Sequence, residues 1–232
     1  MNTFKTNELN RGASALVVAT ALVAGVGGLA SPAHAAPEET CYTFDANSPF
    51  FGAISNTNFP GDLDEGALKC GTGSETSVED TTAIGQDAEA TAEGATALGN
   101  SAIASGESST AVGQDADATA LRSTTVGRFS GATGERSTAT GFGSRADGFA
   151  SSAFGDFAMA SAENATALGQ NAMASATDSL AGGQNANASG DASISIGNDS
   201  SATGVAAVAI GGDDDGAGAT ADGNSTTAVG GE

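Results

Sequence analysis

The chain has 232 residues, a formal net charge of −21 at pH 7, 39% hydrophobic residues, 5% aromatic residues and 34 glycines. A polymer this acidic repels the phosphates of nucleic acid and of anionic membranes, which argues against either as a partner. Its single histidine, His34, leaves few means for histidine-based catalysis or metal ligation.

Residues 1–35 read as an export signal. Lys5 and Arg11 precede the small and apolar run Ala13 to Ala30, and Ala33-His34-Ala35 supplies a small-residue cleavage pattern. A membrane anchor is the competing reading, but Gly25, Gly27, Gly28 and Pro32 shorten the apolar run. Cleavage near Ala36 removes Lys5, Glu8, Arg11 and His34, leaving a secreted or surface chain of charge −22 without histidine.

Residues 36–73 differ in composition from the rest of the chain. Cys41 and Cys70 bracket a segment with the only tyrosine, Tyr42, and with Phe44, Phe50, Phe51 and Phe59. Two cysteines in an exported chain most simply form one disulfide, worth about 3–4 kcal/mol in the chain-entropy picture; two free thiols are the alternative. The segment is expected to act as an N-terminal cap that closes the open edge of the repeats after it, with a binding tip as the other use for its aromatics.

From 74 to 232 the chain is expected to be an all-β roll. A glycine recurs every fourteen residues: Gly85, Gly99, Gly113, Gly127, Gly141, Gly155, Gly169, Gly183, Gly197 and Gly211. A short fixed period means stacked turns, and fourteen residues suffice for two short strands and two tight turns. We number positions within a turn from this glycine, taken as zero. Positions three and five are small, as in Ala88/Ala90, Ala102/Ala104 and Ala172/Ala174. Position eleven is Thr82, Thr96, Thr110, Thr124, Thr138, Ser152 and Thr166, then Leu180, Ile194 and Val208. Position thirteen is larger and apolar, as in Ile84, Leu98 and Leu168. Positions eleven and thirteen share a face, and their character predicts an interior or half-buried face. The alanines between them (Ala83, Ala97, Ala111) are expected to offer a flat surface for a second chain. After Gly211 the next matching glycine is Gly230, so five residues are inserted near 212–217, around Asp213-Asp214-Asp215-Gly216. That acidic run resembles a calcium loop only weakly, because calcium needs a cage of six to eight oxygens.

The pattern in STAVGQDADA and ATALGQNAMA closely resembles the YadA-like (Hep/Hag) head repeats of trimeric autotransporter adhesins. The resemblance covers about residues 78–230. It implies a left-handed parallel β-roll with 14-residue turns, a homotrimer of three rolls side by side, and display outside a bacterium for adhesion. It brings no catalytic residues and no cofactor. The chain departs from the family pattern in showing no heptad stalk and no barrel-forming segment after the repeats, and in placing Thr where the family's motif usually has Val. A truncated longer adhesin would explain the first departure. An ice-binding surface or a purely structural extracellular scaffold is the alternative function, the former suggested by the Thr column.

The middle turns stand apart. Arg122, Arg128, Arg136 and Arg145 are four of the five basic residues after residue 35, Lys69 being the fifth. Phe129, Phe142, Phe149 and Phe157 fall in the same stretch, at positions polar or small elsewhere. These eight residues are the candidate ligand-binding set, a lateral aromatic and cationic patch. Charge relief in an acidic stack, with local packing between protomers, is the competing reading.

Overall fold

The computed structural model describes residues 41–43, 67–212 and 218–230. The expected export signal at 1–35, most of the expected cap with its four phenylalanines, and the Asp213–Asp215 run lie outside the described residues. Within them the fold is a parallel β-solenoid of short strands, with no helix.

Each turn contributes one strand to each of two sheets. A long sheet holds 13 strands and a short sheet 11. Strand β1 (Cys41–Thr43) pairs antiparallel with β2 (Leu68–Cys70), in a register that sets Cys41 opposite Cys70. The other pairings are parallel. β2 lies against Thr82–Ile84, and β3 (Glu75–Thr76) against Glu89–Ala90. Successive strands then advance by fourteen residues, as in Thr96↔Thr110 and Ala132↔Ala146. Parallel stacking thus starts at Leu68, inside the segment assigned to the cap. Gly71 belongs to the glycine series, its φ of +127° matching the role of Gly85. At the other end Val208 pairs with Thr227 and Ser201 with Thr220, a step of nineteen. The five extra residues leave both sheets in register.

The repeating glycine is dictated twice over. From Gly85 to Gly211 its φ lies between +131° and +147°, a region closed to side-chain-bearing residues. A Cβ there would also lie 2.1–2.5 Å from the glycine carbonyl oxygen of the next turn, from Gly85 through Gly197.

The lumen is lined by alanine and hydroxyl residues from both sheets, which corrects the expected facing. Ala83, Ala97, Ala111, Ala139 and Ala153, in the column predicted to meet a second chain, are fully buried inside the coil. Ala88 and Ala90 face them from the short sheet, equally buried. Positions eleven and thirteen point outward: the Thr column is half-buried, and Ile84, Val126, Phe154, Leu168, Ile196 and Ile210 are exposed. A coil this narrow has no space for leucine or isoleucine, so small size marks the interior and bulk the exterior.

Lumen hydroxyls are mostly paired. Where position twelve carries a hydroxyl instead of alanine, a serine stands five residues on to meet it: Thr125 with Ser130 at 2.5 Å, and Ser195 with Ser200 at 2.8 Å. At position ten, Ser123 and Ser179 donate to the carbonyls of Ala120 and Ala176. Ser109, Ser137, Ser151 and Ser193, in the same column, follow a glycine at position seven and have no partner among the described residues.

Candidate functional site

Two corners of every turn require a left-handed residue. Position two, between the long and short sheets, and position nine, on the return, have φ between +52° and +58° wherever a non-glycine residue stands. Most turns use residues suited to this region, as in Asp87, Ser101, Asn171, Asn185 and Asp199. In the C-terminal turns these side chains also form a ladder. Asn171 Nδ2 donates to Asn185 Oδ1 at 3.3 Å, and Asn185 Nδ2 donates to Asp199 Oδ1 at 2.8 Å.

The middle turns break this rule. Phe129 and Phe157 occupy position two with φ of 58° and 55°; Arg122 and Arg136 occupy position nine with φ of 56° and 58°. A bulky residue held there costs about 1–2 kcal/mol. Four of the eight candidate residues therefore sit where the backbone disfavours them.

The structure divides the candidate set among three sides of the coil. At the first corner Phe129, Phe142 and Phe157 form an aromatic ladder: centroids are 5.9 Å apart for Phe129–Phe142 and 5.1 Å for Phe142–Phe157, both edge-to-face. Gly143, the residue at position two between the turns of Phe129 and Phe157, makes the ladder possible. A Cβ on it would meet the Phe157 ring at 2.8 Å, so the ring lies over bare backbone. The Arg128 guanidinium stacks on Phe129 at 4.3 Å from the centroid and reaches Phe142 at 6.0 Å. Phe129, Phe142 and Phe157 remain 46%, 38% and 53% exposed.

At the opposite corner Arg136 lies 5.7 Å over the Phe149 ring and 3.7 Å from Glu135, with Arg122 one turn before it at the same position. Arg145 stands on the outer face of the short sheet and pairs with Asp147 at 3.0 Å. It is followed in the same column by the exposed Met159 and Met173, which lie outside the eight candidates. The sequence carries a signal for them: the column is otherwise mixed, and two methionines succeed each other on stacked strands. The eight residues thus do not make one patch. They make a band over three sides, and the outer face of the long sheet keeps its Thr and aliphatic columns.

Among the described residues no group of three or more His, Cys, Asp or Glu is placed to hold a metal ion, and no helix is long and apolar enough to cross a membrane. The arrangement offers stacking faces, apolar surface and guanidinium donors, which suits binding by contact.

No curated protein matches the chain. The family model described as YadA head domain repeat (2 copies) does, at residues 79–102 and, in overlapping stretches, 104–130, 118–144, 132–160, 146–172, 160–186, 174–200 and 188–213. These matches follow the fourteen-residue register of the stacked strands and span more than half of the chain, which therefore belongs to the YadA head repeat family, an adhesin repeat.

Proposed function

We propose that the exported chain assembles as a homotrimer and serves as a surface-displayed or secreted attachment head, holding a partner by presenting the same side chains three times. The observation that carries this reading is the outer face of the long sheet. Its outermost column exposes Ile84, Val126, Phe154, Leu168, Ile196 and Ile210, with Thr140 and Gly182 between them, beside a half-buried column that is Thr or Ser up to Thr166 and Leu180, Ile194 and Val208 beyond. Leu168 alone is 55% exposed in the single chain. A row of exposed apolar side chains of this kind marks an interaction surface, and three copies packed through it would bury it. A single narrow coil filled with alanine buries little apolar area, so association also supports stability. Threefold display then adds weak contacts as avidity. In the same reading Cys41 and Cys70 cross-link the first turn, since directly opposite antiparallel residues have the Cα separation that a disulfide requires.

Sedimentation equilibrium of residues 36–232 tests the assembly. A mass three times that of one chain is expected, falling to one chain when Leu168→Lys and Ile196→Lys are combined. A monomer at micromolar concentration sinks it. The outward Thr column favours a second reading, an ice-binding face, because Thr82, Thr96, Thr110, Thr124 and Thr138 stand on consecutive strands about 4.8 Å apart. Thermal hysteresis by a monomeric chain would select that reading.

A further inference from the structure

We propose that the corner built from Arg128, Phe129, Phe142 and Phe157, continued round onto the short sheet by Met159 and Met173, docks an exposed protein segment that combines apolar and acidic side chains. This deepens the attachment reading, on which it rests for the role of the head; it does not depend on the trimer.

Three observations carry it. The first is composition. Aromatic residues, methionine and arginine are the types enriched at protein–protein contacts, and here they are exposed together. The ring-bearing members are phenylalanines, which have no hydroxyl or N–H to read sugar hydroxyls. Methionine adapts its shape to apolar side chains.

The second is placement. Phe129 and Phe157 hold left-handed positions that Asp, Asn or Ser fills in the flanking turns, and Gly143 clears the seat of the Phe157 ring. The backbone of this fold does not ask for aromatics there, since the same corner elsewhere is satisfied by polar residues. Strain of this sort points to a role outside folding.

The third is charge. The Arg128 guanidinium carbon lies over the Phe129 ring, 4.3 Å from its centroid, a contact that does not use up its five N–H donors. Among the described residues Arg136 and Arg145 each have a carboxylate within 4.0 Å, and Arg128 does not. In a chain this acidic, an arginine left without a carboxylate beside an aromatic ladder suits a carboxylate brought by the partner.

The test is fluorescence anisotropy of the full-length chain with two short fluorescein-labelled peptides, one of alternating Glu and Leu and one of alternating Lys and Leu. The Glu peptide should bind and the Lys peptide should not. Phe142→Ala with Phe157→Ala should weaken binding about tenfold or more. Gly143→Asn, which keeps the left-handed turn and occupies the ring's seat, should do the same. Arg128→Glu should reverse the preference between the peptides. Circular dichroism confirms that each variant is folded, and the Gly143 variant stands in if the double alanine variant is not. Failure of the Glu peptide to bind, equal binding of both peptides, or affinity indifferent to these variants would overturn the proposal. So would a change in sedimentation mass of the Phe variants, since the corner would then be a contact between copies. A wild-type monomer that still binds the Glu peptide in this manner would sink the trimer and leave the corner standing.

Discussion

Turns 113–168 and turns 169–210 share one backbone and differ in what stands at its left-handed corners. At position two the C-terminal group carries Asn171, Asn185 and Asp199, which suit the conformation and bond to one another; at position nine it carries Asp178, Ala192 and Ala206. The middle group carries Asp115, Phe129, Gly143 and Phe157 at position two, and Arg122, Arg136, Ala150 and Asn164 at position nine. At position two the C-terminal group serves stability and the middle group, from Phe129 to Phe157, presents an exposed surface. A periodic fold makes this visible, because each turn serves as the control for its neighbour.

The contrast holds only if the backbone is equally demanding in both groups. Gly155→Ala and Gly183→Ala test this and carry the largest expected effect. Both place a Cβ within 2.4–2.5 Å of the next turn's carbonyl oxygen at φ of +134° and +132°. Each should cost about 4 kcal/mol or prevent folding, read as the midpoint of thermal unfolding by circular dichroism. Tolerance in one group alone would break the contrast.

Corner substitutions should then differ in sign between the groups. Asn185→Ala removes two ladder hydrogen bonds and a residue suited to left-handed φ, at a cost of about 1–2 kcal/mol. Arg122→Asn should instead stabilise by about 1 kcal/mol, because it relieves a bulky left-handed residue that has no ion pair among the described residues. Destabilisation by both, measured in urea, would mean that the middle corners are also built for stability.

A smaller contrast lies in the lumen. Ser123→Ala should lose about 1 kcal/mol, since its hydroxyl bonds Ala120 at 2.7 Å. Ser151→Ala should be neutral or stabilising, since its buried hydroxyl has no partner among the described residues. Equal losses would show that the second hydroxyl is satisfied by water.

The smallest effect is expected at Asp117, where burial, and then the neighbouring Asp115 carboxylate, raise the carboxyl above its ordinary value of 3.8. The folded chain favours the protonated form, so this contribution to stability is full below 3.8 and is lost as pH rises through the raised folded value. Asp117→Asn should therefore stabilise slightly at neutral pH, by no more than about a few tenths of a kcal/mol, because solvent screens this partly exposed carboxylate. The gain over wild type should vanish in melts below the ordinary carboxylate value.

The period, the sheet content and the place of the insertion are legible in the sequence because a glycine that no other residue can replace repeats in register. Gly71 is harder to see, although it stands fourteen residues before Gly85, since its surroundings lack the alanine pattern. The facing of the sheets is the reverse of what the side chains suggest. Ordinary cores reward bulk, so Ile84 and Leu168 suggest an interior and Ala83 and Ala97 a surface. The coil is narrow enough to reverse that rule, and sequence period alone carries no diameter. Of the site, the eight residues are visible as exceptions to their columns. Their division between two corners and a sheet face is not, because it depends on which of the fourteen positions are corners.

The step of fourteen residues between paired strands has a consequence for how the chain acquires its shape. Every parallel sheet contact from Leu68 to Ile210 joins residues one turn apart, so no contact waits for a distant part of the chain. A chain that emerges N-terminus first, as in synthesis, can settle each new turn on the one already formed, with the completed edge as template. Growth of this kind needs no finished chain, and it tolerates gain or loss of whole turns: evolution can set the height of such a column in increments of about 4.8 Å without redesigning anything beneath.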